Sequence, residues 1–159
     1  MWTKILAVAA LASVMACTGG NKGGMETPQK VLSEYVSRSF AVKAPVEKSK
    51  LLELTTGEVK NAIERLDEAA FRSYFIDSKR EFLGLKVKDE RNVGADQYSI
   101  TYELSYMSRS SLAAPGSEPS VDRVTNKKHA LFVNQNGKWL ISEVKSLKTL
   151  IEHQNEMSF

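Results

Sequence analysis

Gln97-Tyr98-Ser99-Ile100-Thr101-Tyr102-Glu103-Leu104-Ser105-Tyr106-Met107 is the stretch whose reading decides the fold. Tyr98, Ile100, Tyr102, Leu104 and Tyr106 take alternate positions, with Ser99, Thr101, Glu103, Ser105 and Met107 between them. A period of two in aromatic and branched residues marks a strand with one face in the core. The same period starts upstream at Glu81, where Leu83, Leu85 and Val87 alternate with Gly84, Lys86 and Lys88. Gly94-Ala95-Asp96 separates the two runs. Downstream, residues 110–120 are small and polar with Pro115, Gly116 and Pro119, which predicts a loop. Val124 to Asn134 reads as a third strand, apolar in Ala130, Leu131, Phe132 and Val133. Asn136-Gly137 is a hairpin signal, because both residues accept positive φ. Trp139, Leu140, Ile141 and Val144 make a fourth strand, with Leu147 as its outer limit. Thr149 to Phe159 is expected as a fraying end or a last short helix.

Before Glu81 the period is helical. Thr27-Pro28 sets a capping residue before a proline suited to a first turn. Val31, Leu32, Tyr35, Val36, Ser39 and Phe40 follow on one face. Ala44-Pro45 restarts the chain, and Val46, Leu51, Leu52 and Leu54 predict a short second helix. Thr56 is expected to cap a third, with Val59, Ala62, Ile63 and Leu66 on one face. Asp67 is expected to cap its continuation through Ala70, Phe71, Tyr74 and Phe75. Helices first and an antiparallel meander second define the α+β class, with about three N-terminal helices packed on one face of a four-stranded sheet.

This order of elements resembles the NTF2-like (cystatin-like) superfamily. The Thr27-Pro28-Gln29-Lys30-Val31 start, the Gln97 to Ser108 strand, and the Asn136-Gly137-Lys138-Trp139 hairpin with Ile141 behind it carry the resemblance, over most of residues 27–150. It implies a curved sheet, a half-cone closed by helices, with a pocket on its concave side. Some members are isomerases or dehydratases there, and many only bind ligands or partner proteins. A fold does not choose between these.

The residues offer few candidates for chemistry. His129, opposite in parity to Ala130 and Phe132, has the type for a general base. A half-exposed histidine on a sheet with no chemical role is the favoured reading. Glu103 shares parity with Ser99, Thr101 and Ser105 and is expected toward solvent. His153 lies in the tail. Asp67 and Asp77 fall at helix boundaries and Asp96 in a turn, where local capping accounts for them. No serine stands in a nucleophile elbow and no glycine-rich phosphate loop is present. Two dispersed histidines make no metal set, and no cofactor is expected. The one suggestive constellation is aromatic: Tyr35, Tyr98, Tyr102, Tyr106 and Trp139. These rings fit either a groove for an apolar ligand or the core between sheet and helices.

The N-terminus speaks to address. Met1-Trp2-Thr3-Lys4 is a short basic head, and Ile5 to Met15 carries no charge. A helix of that length rises about 16 Å, against ~30 Å of hydrocarbon. Val14-Met15-Ala16-Cys17 resembles the lipobox of bacterial lipoproteins, with Cys17 the chain's single cysteine. The resemblance implies cleavage before Cys17, a thioether-linked lipid on its sulfur and an acylated new amine. An ordinary secretory signal cut near Ala16 is the alternative. The organisation expected is a lipoprotein signal over 1–16, a lipidated cysteine and glycine-rich tether over 17–27, and a single α+β domain over 28–159. The tether would stand the domain off by about 17 Å. Thr18 is not the aspartate associated with inner-membrane retention, so the outer membrane facing the periplasm is favoured if the cell has one.

Charge excludes little but points away from nucleic acid. The 159 residues carry a formal +3, and Lys4 is the one charged residue of 1–16, so the body carries less. Lys79, Arg80, Lys86, Lys88, Lys127, Lys128, Lys138, Lys145 and Lys148 read as the solvated face of a sheet. The function expected is that of a non-catalytic, lipid-anchored cell-envelope domain binding a protein partner or a small apolar ligand. An NTF2-like isomerase or hydro-lyase, resting on His129 or Glu103, and a structural accessory lipoprotein are the alternatives.

Overall fold

The structure, a computed structural model, describes residues 26–109 and 121–154. Cys17, most of the tether, the 110–120 loop and the last five residues lie outside the described residues. The chain runs α1 (Pro28–Ala41), a 3-10 turn (Pro45–Glu47), α2 (Lys48–Leu52), α3 (Gly57–Arg65), α4 (Glu68–Phe71) and a π turn (Arg72–Ile76). The strands follow as β1 (Arg80–Gly94), β2 (Gln97–Arg109), β3 (Val121–Gln135) and β4 (Lys138–Gln154). They form one antiparallel sheet in the order β1-β2-β3-β4.

Local chemistry sets the boundaries. The Thr27 side chain accepts a hydrogen bond from the Lys30 N–H at 3.3 Å, and Pro28 opens α1. Asp67 accepts from Ala70 N at 2.7 Å, ending one helix and starting the next, so the described helices number four α-helices rather than about three. Thr56 precedes α3, but its hydroxyl makes no cap; it accepts from Gln135 Nε2 at 3.3 Å, tying α3 to the β3–β4 turn. Asn136 and Gly137 take φ of 55° and 84°, and Asn134 pairs with Trp139 across the tight turn.

The core has two parts. Val31, Leu32, Val36 and Leu54 meet Ile100, Tyr102, Leu104, Ala130, Phe132 and Ile141 on the sheet. Val42, Leu51, Ile63, Phe71 and Phe75 pack among the helices. The main chain joins the layers as well. Ile141 N–H donates to Leu54 O at 2.9 Å and Thr56 N–H donates to Ile141 O at 2.8 Å, so Thr55 lies against the β4 edge in a single parallel bridge. Gly57 makes this approach possible: its φ is +53°, and a Cβ there would stand 3.1 Å from the Ser142 carbonyl oxygen.

Several expectations need correction. β4 continues to Gln154, with Val124 opposite Ile151, so Thr149 to Gln154 is strand rather than fraying end or helix. Cross-strand pairing holds it, a signal that its own sequence does not carry. In β1 the register breaks at Phe82/Gly84, Val87/Asp89 and Asn92/Gly94. The first bulge shifts parity, so Leu83 faces out and Phe82 takes the inner row opposite Tyr106, where it meets the Phe40 ring edge-on at 5.6 Å; Val87 keeps the expected parity opposite Tyr102 but is exposed on the edge strand. Val46 is 80% exposed, and Tyr74 turns outward from the Phe71–Phe75 face.

The sheet outruns the helices. β4, at 17 residues, extends about 56 Å, whereas α1, at 14, rises about 21 Å. Leu147, Leu150 and Ile151 on β4 are exposed. Ile141→Ala is expected to lower stability by about 2–5 kcal/mol, and Leu147→Ala to change it by less than about 0.5 kcal/mol. Denaturant unfolding checks this; equal losses at the two positions would remove Ile141 as the joint between layers.

Candidate functional site

Alternation along β2 and β3 decides what faces the helices. Opposite Tyr106, Leu104, Tyr102, Ile100 and Tyr98 stand Val124, Asn126, Lys128, Ala130 and Phe132. All but Asn126 and Lys128 are apolar or aromatic. Lys128 therefore belongs to the inner row, beside Tyr102, and not to a solvated face.

Above this row the layers leave a cavity of about 540 Å³. α1 contributes Tyr35, Val36, Ser39 and Phe40, and α3 contributes Glu58, Val59, Ala62 and Ile63. The π turn closes one side with Tyr74 and Phe75. Leu104, Val144 and Ser146 join Tyr102 and Lys128 on the floor. The walls are mainly apolar, both aliphatic and aromatic, with hydroxyls, two cations and the Glu58 carboxylate set among them.

Arg80 opens β1 at the edge of the cavity. Its Nε donates to Ser78 Oγ at 3.0 Å and its Nη2 donates to the Tyr74 carbonyl at 2.9 Å. The guanidinium carbon lies 5.3 Å from the ring centres of Phe40 and Tyr74 and 5.8 Å from that of Tyr106. Three rings and two hydrogen bonds hold this charge in place. Lys128 has no carboxylate partner among the described residues. Burial pushes its ammonium below the usual lysine range, and the Arg80 charge pushes in the same direction.

Two tyrosines respond to the same surroundings. Burial pushes Tyr35 up to about 12, the neighbouring Tyr74 adds to the rise and Arg80 opposes it. Burial raises Tyr102 further, with Tyr35 and Tyr74 adding to it. Their hydroxyls have no protein partner among the described residues, whereas Tyr98 accepts from Gln29 Nε2 and Tyr106 from Asn126 Nδ2, each at 3.3 Å.

The five aromatic residues singled out from sequence divide among three places. Tyr35 and Tyr102 line the cavity. Tyr98 and Trp139 meet edge-on at 6.2 Å near the β3–β4 turn. Tyr106 packs on Phe40 at 5.7 Å at the opposite end. The two candidate bases lie on the sheet's outer face: His129 Nδ1 is 3.2 Å from Thr101 Oγ1, and Glu103 pairs with Lys88 at 3.0 Å. His153, on β4 rather than in a loose tail, lies 2.8 Å from Asp122. Asp77 ends the π turn, and the Asp96 carbonyl accepts from Asn134 N–H at 2.8 Å. Among the described residues no cluster of three metal-ligating side chains occurs, and no helix is long and apolar enough to cross a membrane.

Sequence reasoning missed Arg80, Lys128 and Glu58. The reading of Arg80 and Lys128 as solvated is corrected by their place in the cavity. Lys128 was recoverable: it shares parity with Ala130 and Phe132, the apolar residues that define the inner row. Arg80 and Glu58 carry no such mark, since helix packing alone brings them to the site.

No protein-family model and no curated protein matches the chain. Solved structures do. The solution structure of a SEC-C motif-containing protein from Rhodopseudomonas palustris aligns with a TM-score of 0.51 at 15% identity, over 77% of this chain and 80% of that one. The crystal structure of the intermembrane space region of the chloroplast protein ARC6 aligns with a TM-score of 0.55 at 17% identity, over 75% of this chain and 92% of that one. At these identities the likeness is one of α+β fold.

Two outcomes follow from the cavity's polar groups. Because the raised Tyr35 favours the neutral phenol in the folded state, its contribution is complete below pH ~10 and is lost as pH rises toward about 12. Tyr35→Phe should flatten the fall in melting temperature over that window and remove a late step from the phenolate absorbance titration; an unchanged titration would place Tyr35 in open solvent. Lys128→Met should raise stability at neutral pH by about 0.5–2 kcal/mol, by removing a half-buried, unpaired charge. Calorimetry checks the sign, and destabilisation would mean that the ammonium is well paired.

Proposed function

We propose that this chain is a lipid-anchored, non-catalytic domain of the cell envelope that takes a small apolar ligand into the cavity beneath α1 and α3. The cavity carries the reading. Its volume, about 540 Å³, falls within the ~300–1,000 Å³ typical of small-molecule sites. Its aliphatic and aromatic walls, broken by a few hydroxyls and charges, have the usual composition of such sites. A concave, half-open volume of this size suits a small molecule better than a folded partner, which favours the ligand half of the expectation.

An NTF2-like half-cone is the finer fold reading that accompanies the proposal. The register breaks in the β1–β2 and β3–β4 pairs support it, because bulges bend and coil strands as such a curl requires. The non-catalytic reading is supported by His129 and Glu103 lying on the other face of the sheet. Anchoring rests on Val14-Met15-Ala16-Cys17 and on the glycine-rich residues after it. Two or three acyl chains hold a protein at a bilayer where a single one is marginal.

The test has two parts. Mass spectrometry of protein extracted from membranes should find an N-terminal peptide beginning at acylated Cys17, and Cys17→Ser should move the protein out of the membrane fraction. Recovery of unmodified Cys17 would sink the anchor. A neutral polarity-sensitive dye should brighten on binding the purified protein, and Ala62→Trp, at the exposed rim on α3, should abolish the response. A dye signal indifferent to Ala62→Trp would mean that the cavity is not the site.

A further inference from the structure

The charge in the cavity does not balance, and that imbalance identifies the ligand's head group. Among the described lining residues, Arg80 and Lys128 are cationic and Glu58 is the single carboxylate. Glu58 lies in the first turn of α3 and its charge acts on Lys145, at the sheet's β4 edge. Arg80 instead acts on Lys128 and on Tyr35, and both cations line the cavity together with Tyr35, Tyr74 and Tyr102. Two like charges thus share a half-buried space with no carboxylate paired to either among the described residues.

We propose that the cavity, read above as a ligand site, takes an aliphatic monocarboxylic acid, with the carboxylate at Lys128 and Arg80 and the chain along Val59, Ile63 and Val144. The claim rests on the ligand-binding reading and adds the chemical class. Arg80 and Lys128 leave uncompensated positive charge at this end of the cavity, which an anionic head group offsets. A second carboxylate farther along the ligand would meet the aliphatic side chains of Val59, Ile63 and Val144 and find no cation there. Arg80 is already committed through Nε and Nη2 and clamped between rings, so it supplies a fixed field and its remaining N–H groups. Lys128, on a flexible stem with three donors, supplies the direct contact. The Tyr35 and Tyr102 hydroxyls, held as phenols, can donate to the second carboxylate oxygen. The stretch along Val59, Ile63 and Val144 is aliphatic and offers no side-chain partner to polar groups on that part of the ligand, which favours a hydrocarbon chain there over a sugar or a peptide.

Titration calorimetry of the purified full-length protein with decanoate, decanol and decyltrimethylammonium tests this, each below its micelle concentration. Decanoate should bind about tenfold or more tightly than decanol, and the ammonium should not bind measurably, as expected for a charge-assisted hydrogen bond. Lys128→Met should bring decanoate and decanol within about threefold of each other, while Lys128→Arg keeps the preference. Decanoate and decanol binding alike to the unaltered protein, or a preference untouched by Lys128→Met, would overturn the carboxylate assignment and leave the cavity as a neutral apolar site. Failure of both ligands at millimolar concentration would overturn the carboxylate assignment together with the ligand-binding reading beneath it.

Discussion

Ile141 holds the helical layer to the sheet through both its side chain and its main chain. The side chain is fully buried beside Phe132 and Leu54. The amide and carbonyl pair with Leu54 and Thr56, which closes part of an otherwise open β4 edge. These two bonds satisfy backbone groups that burial would leave without water. They also fix the height of α3 above the sheet, because Gly57 begins that helix directly after the pairing. The space beneath α1 and α3 follows from this height: a helix docked more closely would fill it.

Much of the architecture could be read from local pattern, and the failures share one cause. The inner row of β2 was visible in its alternation, as were the Thr27-Pro28 and Asp67 helix starts and the Asn136-Gly137 turn. Each depends on residues close in sequence. The bulges of β1 and the long run of β4 depend on partners across the sheet. Leu83 looks inward by alternation and faces out because the register slips beside it. The residues from Thr149 onward look featureless and are strand because β3 pairs with them. The same division governs the site. Tyr35 and Tyr102 stood out as aromatic; Lys128 was hidden among other lysines although its parity was inward; Arg80 and Glu58 become neighbours of the cavity only when helices and sheet are assembled.

The polar groups of the cavity work against the stability of the fold that contains them. A lysine in the inner row loses solvation that no described carboxylate restores. The Tyr35 and Tyr102 hydroxyls forgo the protein partners that Tyr98 and Tyr106 find. Aliphatic residues at these positions would pack a tighter core. Local departures from the best-packed arrangement concentrate where a protein meets something else, and here they concentrate in one place. Arg80 differs: rings beside it and two hydrogen bonds that it donates hold its charge without a counter-ion.

The pairing of residues 54–56 with Ile141 also shapes how the chain reaches its fold. Synthesis runs from the amino end, so every helix is complete before the strand that fastens them exists. Their apolar faces, Leu32, Val36 and Leu54 among them, meet a finished partner only after the final hairpin has closed. Contacts this far apart in sequence slow folding, because the intervening loop must be ordered before they form. A nascent chain of this topology therefore passes through a long interval with sticky helices and no sheet, during which its safety depends on chaperones or on remaining unfolded until release.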